Sequence, residues 1–131
     1  MIVNFSPKRH NLLFYFDDLG LFMIKSFRVY GQVQGVMFRQ TFIRGLIKRK
    51  LNGGATNNKD AHKTVSITIE TSEEIEIDYI VQELIRLKVI NSWNATIEKI
   101  EDLPVIKIED HEVTTSNVDD HQWSSGVEFY F

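Results

Sequence analysis

Residues Gly31 to Arg39 read GQVQGVMFR, two glycines and an apolar run closing on an arginine. From Met37 the apolar residues recur at helical spacing, so this stretch is a loop running into a helix start. Such a loop points successive backbone N–H groups at one spot, where the helix dipole also favours negative charge. The chemistry on offer is anion binding. Gly31 and Gly35 let the chain turn tightly, and Arg39, in the first helical turn, adds a planar fork of donors suited to phosphoryl oxygens. On glycine spacing alone the plainer reading is a tight connection with a surface arginine, because short glycine patterns match by chance.

GQVQGVMFR resembles the acylphosphatase signature G-x-V-Q-G-V-x-F-R, with every fixed position matched. In that family the loop cradles a phosphoryl group, the closing arginine binds it, and an asparagine eighteen positions later orients the attacking water. Eighteen positions on from Arg39 stands Asn57. It lies in LNGGATNN, which is similar to the family's second motif, L-x-G-W-V-x-N, in its leucine, first glycine and terminal asparagine. Taken alone, Asn57 reads as a turn residue beside Asn58. The resemblance covers roughly residues 24–100, and the closing VEFYF is similar to the family's last strand. There are four departures. Gly54 stands where tryptophan is usual and Lys50 where glycine is common, the turn Asn58 to Lys63 is longer, and so is the polar stretch Pro104 to Ser125.

What the resemblance implies is hydrolysis of an acyl phosphate to a carboxylate and inorganic phosphate. The leaving carboxylate is already weakly basic, so positioning and electrostatics are what an enzyme must supply. Arg39 and the backbone N–H groups of Gln34, Gly35, Val36 and Met37 would bind the phosphoryl group, and the Asn57 carboxamide would hold the water. The substrate's own phosphoryl oxygen would take the proton, so no general base, metal or cofactor is implied. The alternative is a non-catalytic phosphate-binding or regulatory module on the same scaffold. The expected partners are a small acyl phosphate, or phosphate or another anion in the loop, with no nucleic acid and no membrane, and the chain is expected to be a monomer.

The elements that must position these residues are legible from periodicity. Phe27 and Val29 sit in a short alternating strand ended by Gly31. From about Met37 to Leu51, Phe38, Phe42, Leu46, Ile43 and Ile47 make one helical stripe, stopped by Asn52, Gly53 and Gly54. A strand is expected around Gly54 to Asn57. TVSITIE, residues 64–70, alternates strictly and is the clearest strand. Thr71 and Glu74 form a capping box for a second amphipathic helix carrying Ile77, Ile80, Val81, Leu84, Ile85 and Leu87. A weaker strand follows around Ala95 to Ile100, and Val127, Phe129 and Phe131 alternate in a closing strand. This order predicts an α+β, ferredoxin-like βαββαβ sandwich, an antiparallel sheet with two helices packed on one face.

Residues 1–22 read as an N-terminal extension and 23–131 as the acylphosphatase-like domain, with Met23 opening MIKSFRVYG as a natural strand beginning. The early apolar run LLFYF is cut short by Asp17 and Asp18, so neither export nor a membrane span is expected. At 131 residues, 43% hydrophobic and 25% charged, the chain has ordinary globular composition. Its net charge of −3 argues against a protein built mainly to hold nucleic acid, and TVSITIE carries no aromatics for base stacking. With no cysteine, disulfides and thiolate chemistry are excluded, and a cytoplasmic location is expected. His111 and His121 each follow two acidic residues, but their spacing matches no compact ligand set, and a solvated charged loop is the reading for both. Arg44, Lys48, Arg49 and Lys50 read as a solvated helical face.

Overall fold

The computed structural model describes residues 2–4, 12–18 and 20–131. In chain order the elements are β1 (Ile2–Asn4), β2 (Leu12–Asp17), β3 (Gly20–Gln32), α1 (Phe38–Lys48), β4 (Asn52–Asn57), β5 (Val65–Thr71), α2 (Glu74–Arg86), β6 (Thr96–Leu103) and β7 (Val113–Thr114). β5 lies between β3 and β4, and β6 pairs with the other edge of β3, all antiparallel. The order β6-β3-β5-β4, with a helix in each crossover, is the ferredoxin-like sandwich that the sequence predicts.

Alternation along the strands sorts the two faces. Val65, Ile67 and Ile69 of β5 and Phe27 and Val29 of β3 are buried towards the helices. There they share the core with Phe38, Phe42 and Leu46 of α1 and Ile77, Ile80 and Leu84 of α2. Two glycines set how closely α1 lies. A Cβ on Gly53 would come 2.3 Å from Leu46 Cδ1, and one on Gly45 would come 2.2 Å from the Phe131 ring. The paired residues Gly54, Thr68 and Ser26 lie on the opposite face. The segment after β6 crosses that face, and the Ile106 N–H donates to Ser26 Oγ at 2.9 Å.

Several boundaries differ from the sequence expectation. β3 is 13 residues long rather than a short strand, and it continues through Gly31, where β6 shifts register. Gly31 serves that crossing. With φ of 141°, it passes so close to β6 that a Cβ would lie 2.2 Å from the Thr96 carbonyl oxygen. α1 ends at Lys48 instead of Leu51. The Lys50 N–H bonds to Ile47 O and the Leu51 N–H to Leu46 O, with Lys50 at φ 60°, so a Schellman turn closes the helix before Asn52. α2 starts at Glu74, but Thr71, still within β5, does not cap it directly. The Thr71 hydroxyl instead accepts from the Glu73 N–H and donates to Glu76.

The closing strand is replaced by a tether. Residues 127–131 form a single bridge, Asn91 to Phe129, flanked by hydrogen bonds from Ser92 N to Glu128 O and from Tyr130 N to Ile90 O. Phe131 then inserts fully into the core and stacks on Phe42 with centroids 5.7 Å apart. The edge of β4 is taken instead by β7, pairing Ala55 with Val113 and Gly54 with Thr114.

Candidate functional site

The loop after β3 is shaped by two positive φ angles, 77° at Gly35 and 61° at Met37, the residue just before α1. Its outer carbonyls are held by partners behind it. Asn91 Nδ2 donates to Val36 O at 2.8 Å and to Thr41 Oγ1 at 2.9 Å, while Met37 O accepts the first turn's Thr41 N–H. Because an N–H points opposite to the C=O of its own trans peptide, tying Val36 O to Asn91 directs the Met37 N–H away from it. The Gln34 side chain ties the loop to the β4–β5 turn, its Nε2 donating to Asn58 O and Thr64 O.

That longer turn is well ordered by its own side chains. Asp60 accepts from both the N–H and the hydroxyl of Thr64, and Asn58 bonds to Thr64 and Ser66. Those bonds from Thr64, with Arg28 nearby, hold the Asp60 carboxyl below the usual carboxylate range. Asn57 is the last residue of β4, opposite Val65, and so lies on the helix-facing side of the sheet.

Arg39 and Asn57 meet in one hollow of about 150 Å³, lined by Val33, Gly35, Met37, Phe38, Arg39, Gln40 and Asn57. Of the loop residues expected to bind phosphate, Gly35 and Met37 line it, whereas Gln34 and Val36 do not. Asn57 Oδ1 is buried and has no hydrogen-bond partner among the described residues. A third group, just before β7, bonds to both residues without lining the hollow. One oxygen of Glu112, Oε1, accepts from Arg39 Nη1 at 2.9 Å and from the Asn57 N–H at 2.8 Å.

The residues next to Glu112 overturn the reading of this stretch as solvated. His111 is only 6% exposed and lies on the outer sheet face between two threonines, 2.9 Å from Thr56 Oγ1 and 2.6 Å from Thr68 Oγ1. Thr56 Oγ1 accepts from the Glu112 N–H, leaving its hydroxyl proton for His111 Nδ1, while Thr68 donates to Ile106 O and can accept from Nε2–H. The network assigns a neutral ring protonated at Nε2. Burial lowers the His111 pKa to about 4, against the opposing pull of Asp110 and Glu112. Its ring also accounts for Gly54, because a Cβ there would lie 2.6 Å from His111 Cδ2. Where the resemblance leads one to expect tryptophan, the space over Gly54 on β4 is filled by the ring of His111.

The basic residues Arg44, Lys48 and Arg49, on α1 and its C-cap, are likewise engaged rather than free. Arg44 stacks on Trp123 at 4.6 Å and pairs with Asp119, and Lys48 and Arg49 both donate to Phe131 O. Sequence reasoning missed Glu112 and Asn91. Nothing in their neighbours signals either role, since each depends on contacts made across more than fifty residues of chain.

A ferredoxin-like sandwich with a glycine-bearing loop leading into α1, an arginine in that helix's first turn and an asparagine ending the adjacent strand defines a recognisable class of small α+β domain. The acylphosphatase family model matches residues 25–125, and the chain belongs to that family. Among solved structures, the acylphosphatase from Bacillus subtilis is 24% identical, covering 67% of this chain and 90% of that one, with a TM-score of 0.48. Full-length HypF, in its phosphate- and nucleotide-bound form, is 22% identical over 68% of this chain and 11% of its own length, with a TM-score of 0.46. No curated protein matches the chain.

Proposed function

We infer that this protein is a metal-independent acylphosphatase of the cytoplasm. It acts as a monomer on a small acyl phosphate, cleaving the carboxyl–phosphoryl anhydride. Arg39 and the N–H groups of the Gln34 to Met37 loop hold the phosphoryl oxygens, and Asn57 places a water in line with the leaving carboxylate. The water oxygen bonds to phosphorus, the bond from phosphorus to the carboxylate oxygen breaks with its electron pair leaving on the carboxylate, and the water's proton passes to a phosphoryl oxygen. An amide is a poor base, so Asn57 serves by orientation: its Oδ1 accepts from the water.

The observation that carries this reading is that Arg39 and Asn57 line the same hollow, with an anionic oxygen already bonded to both residues. The buried, unpartnered Asn57 Oδ1 supports the water-holding role, because such an acceptor is costly unless a donor is supplied. Among the described residues no helix is long and apolar enough to cross a membrane.

The test is hydrolysis of benzoyl phosphate, with and without a chelator. Arg39→Ala and Asn57→Ala are each expected to lower turnover at least ~100-fold, the size of effect seen on losing one preorganised donor. Turnover near wild type in either variant would remove that residue from the mechanism. Phosphate binding without any turnover in the wild type would establish the non-catalytic phosphate-binding module instead.

A further inference from the structure

Glu112 sets a carboxylate against the guanidinium that the proposed function assigns to the phosphoryl group. Its Oε1 takes the guanidinium of Arg39 and the main-chain N–H of Asn57 at once, at 2.9 and 2.8 Å. Two donors from different elements converging on one oxygen is the geometry of an anion site, and here the chain fills it with its own side chain.

The backbone of Glu112 is fixed while its side chain is free to leave. β7 pairs Val113 with Ala55, and one residue back the Glu112 N–H donates to the side-chain Oγ1 of Thr56 at 2.9 Å. The Glu112 carbonyl accepts from Asn117 Nδ2, and His111 is wedged beneath between Thr56 and Thr68. The Glu112 side chain is 47% exposed, and that of Arg39 is 24% exposed. A rotation about the side chain's own bonds therefore takes the carboxylate from Arg39 into water without moving the sheet.

We propose that Glu112 is a tethered competitor of the substrate, a carboxylate that occupies the Arg39 and Asn57 donors at rest and must swing out for a phosphoryl group to bind. This rests on reading the hollow beside Arg39 as an anion site. A tethered group competes at an effective concentration in the millimolar range, so a free carboxylate or other single charge displaces it poorly. A phosphoryl dianion carries more charge and more acceptor oxygens to the same guanidinium and loop, so it can displace Glu112. The residue thereby selects against weak anions as well as lowering affinity for the dianion.

The opposite role, a strut that merely holds Arg39 in place, has the opposite signature. Removing a strut weakens phosphate binding, and removing a competitor tightens it. Inorganic phosphate is titrated calorimetrically into the full chain, into Glu112→Gln, which keeps the side chain's length, into Glu112→Ala, and into Arg39→Ala. Glu112→Ala is expected to bind phosphate roughly fivefold more tightly than wild type, the worth of one part-exposed ion pair. KM for benzoyl phosphate should fall by a similar factor without a rise in kcat. If both Glu112 variants bind phosphate as wild type does, or more weakly, while Arg39→Ala abolishes binding, the competitor is refuted and the anion site stands. If neither wild type nor either Glu112 variant binds phosphate, both readings fall.

Discussion

Protonation of the buried His111 should weaken this protein in acid. The folded chain holds the ring neutral, with its pKa lowered to about 4 chiefly by burial, whereas in the unfolded chain the group titrates near ~6.5. The unfolded state therefore binds a proton first as pH falls, and the ring's contribution to stability is complete above pH ~6.5 and lost progressively down to about 4. By pH 5 that loss amounts to about 2 kcal/mol. Urea denaturation at pH 7.5 and pH 5 should show this drop in the wild type and a shallower one in His111→Gln, since carboxylates titrate in both. Equal pH slopes would remove His111 as the sensitive group. None of this was legible in the sequence, because the triplet Glu109-Asp110-His111 looks solvated until Gly54 is seen to open the space beneath the ring.

At the scale of elements, the end of α1 is where sequence and geometry disagree most usefully. The Schellman turn puts Lys50 at φ 60°, the left-handed position that glycine adopts without strain. Lys50→Gly should therefore stabilise the protein by ~0.5–1 kcal/mol, the strain relieved exceeding the added freedom of the unfolded chain. A urea midpoint unchanged or lowered would show that Lys50 is worth more as a charge near the helix end. Elements with strong local periodicity, such as β5 and α2, were legible in the sequence because each one's own alternation or stripe decides it. The closing strand was not. Val127, Phe129 and Phe131 alternate, yet that pattern cannot say whether a chain joins a sheet edge or only brings Phe131 to Gly45. The Gly31 to Arg39 loop was legible down to its arginine, while Glu112 was invisible because β7 reaches β4 only through long-range pairing.

Across the whole molecule, the long strand β3 separates two jobs. Its Gly20 to Lys25 half pairs with β2, and its Ser26 to Gln32 half pairs with β6, so β2 and β6 lie end to end along one edge while β5 flanks residues 23–29 on the other. Leu12 of β2 is 2% exposed and belongs to the core, so β2 contributes burial as well as hydrogen bonds. The loop that leads into α1 and Arg39 leaves from the far end, and 13 residues of strand place that end about 40 Å from Gly20. Removing residues 1–19 opens the β3 edge at Gly20 to Lys25 and exposes the contacts of Leu12, and leaves β4, β7, α1 and the donors around Glu112 untouched. The truncated chain should lose on the order of 2–4 kcal/mol, as expected for stripping a buried leucine and a pairing strand. Its Arg39-dependent phosphate affinity, measured at a temperature where it is folded, should stay within about twofold of the full chain, because sites that far apart with no shared partners act independently. A large change in affinity with the fold intact would mean that the N-terminal strands reach the site through β3, and that the two ends of the sheet are one cooperative unit.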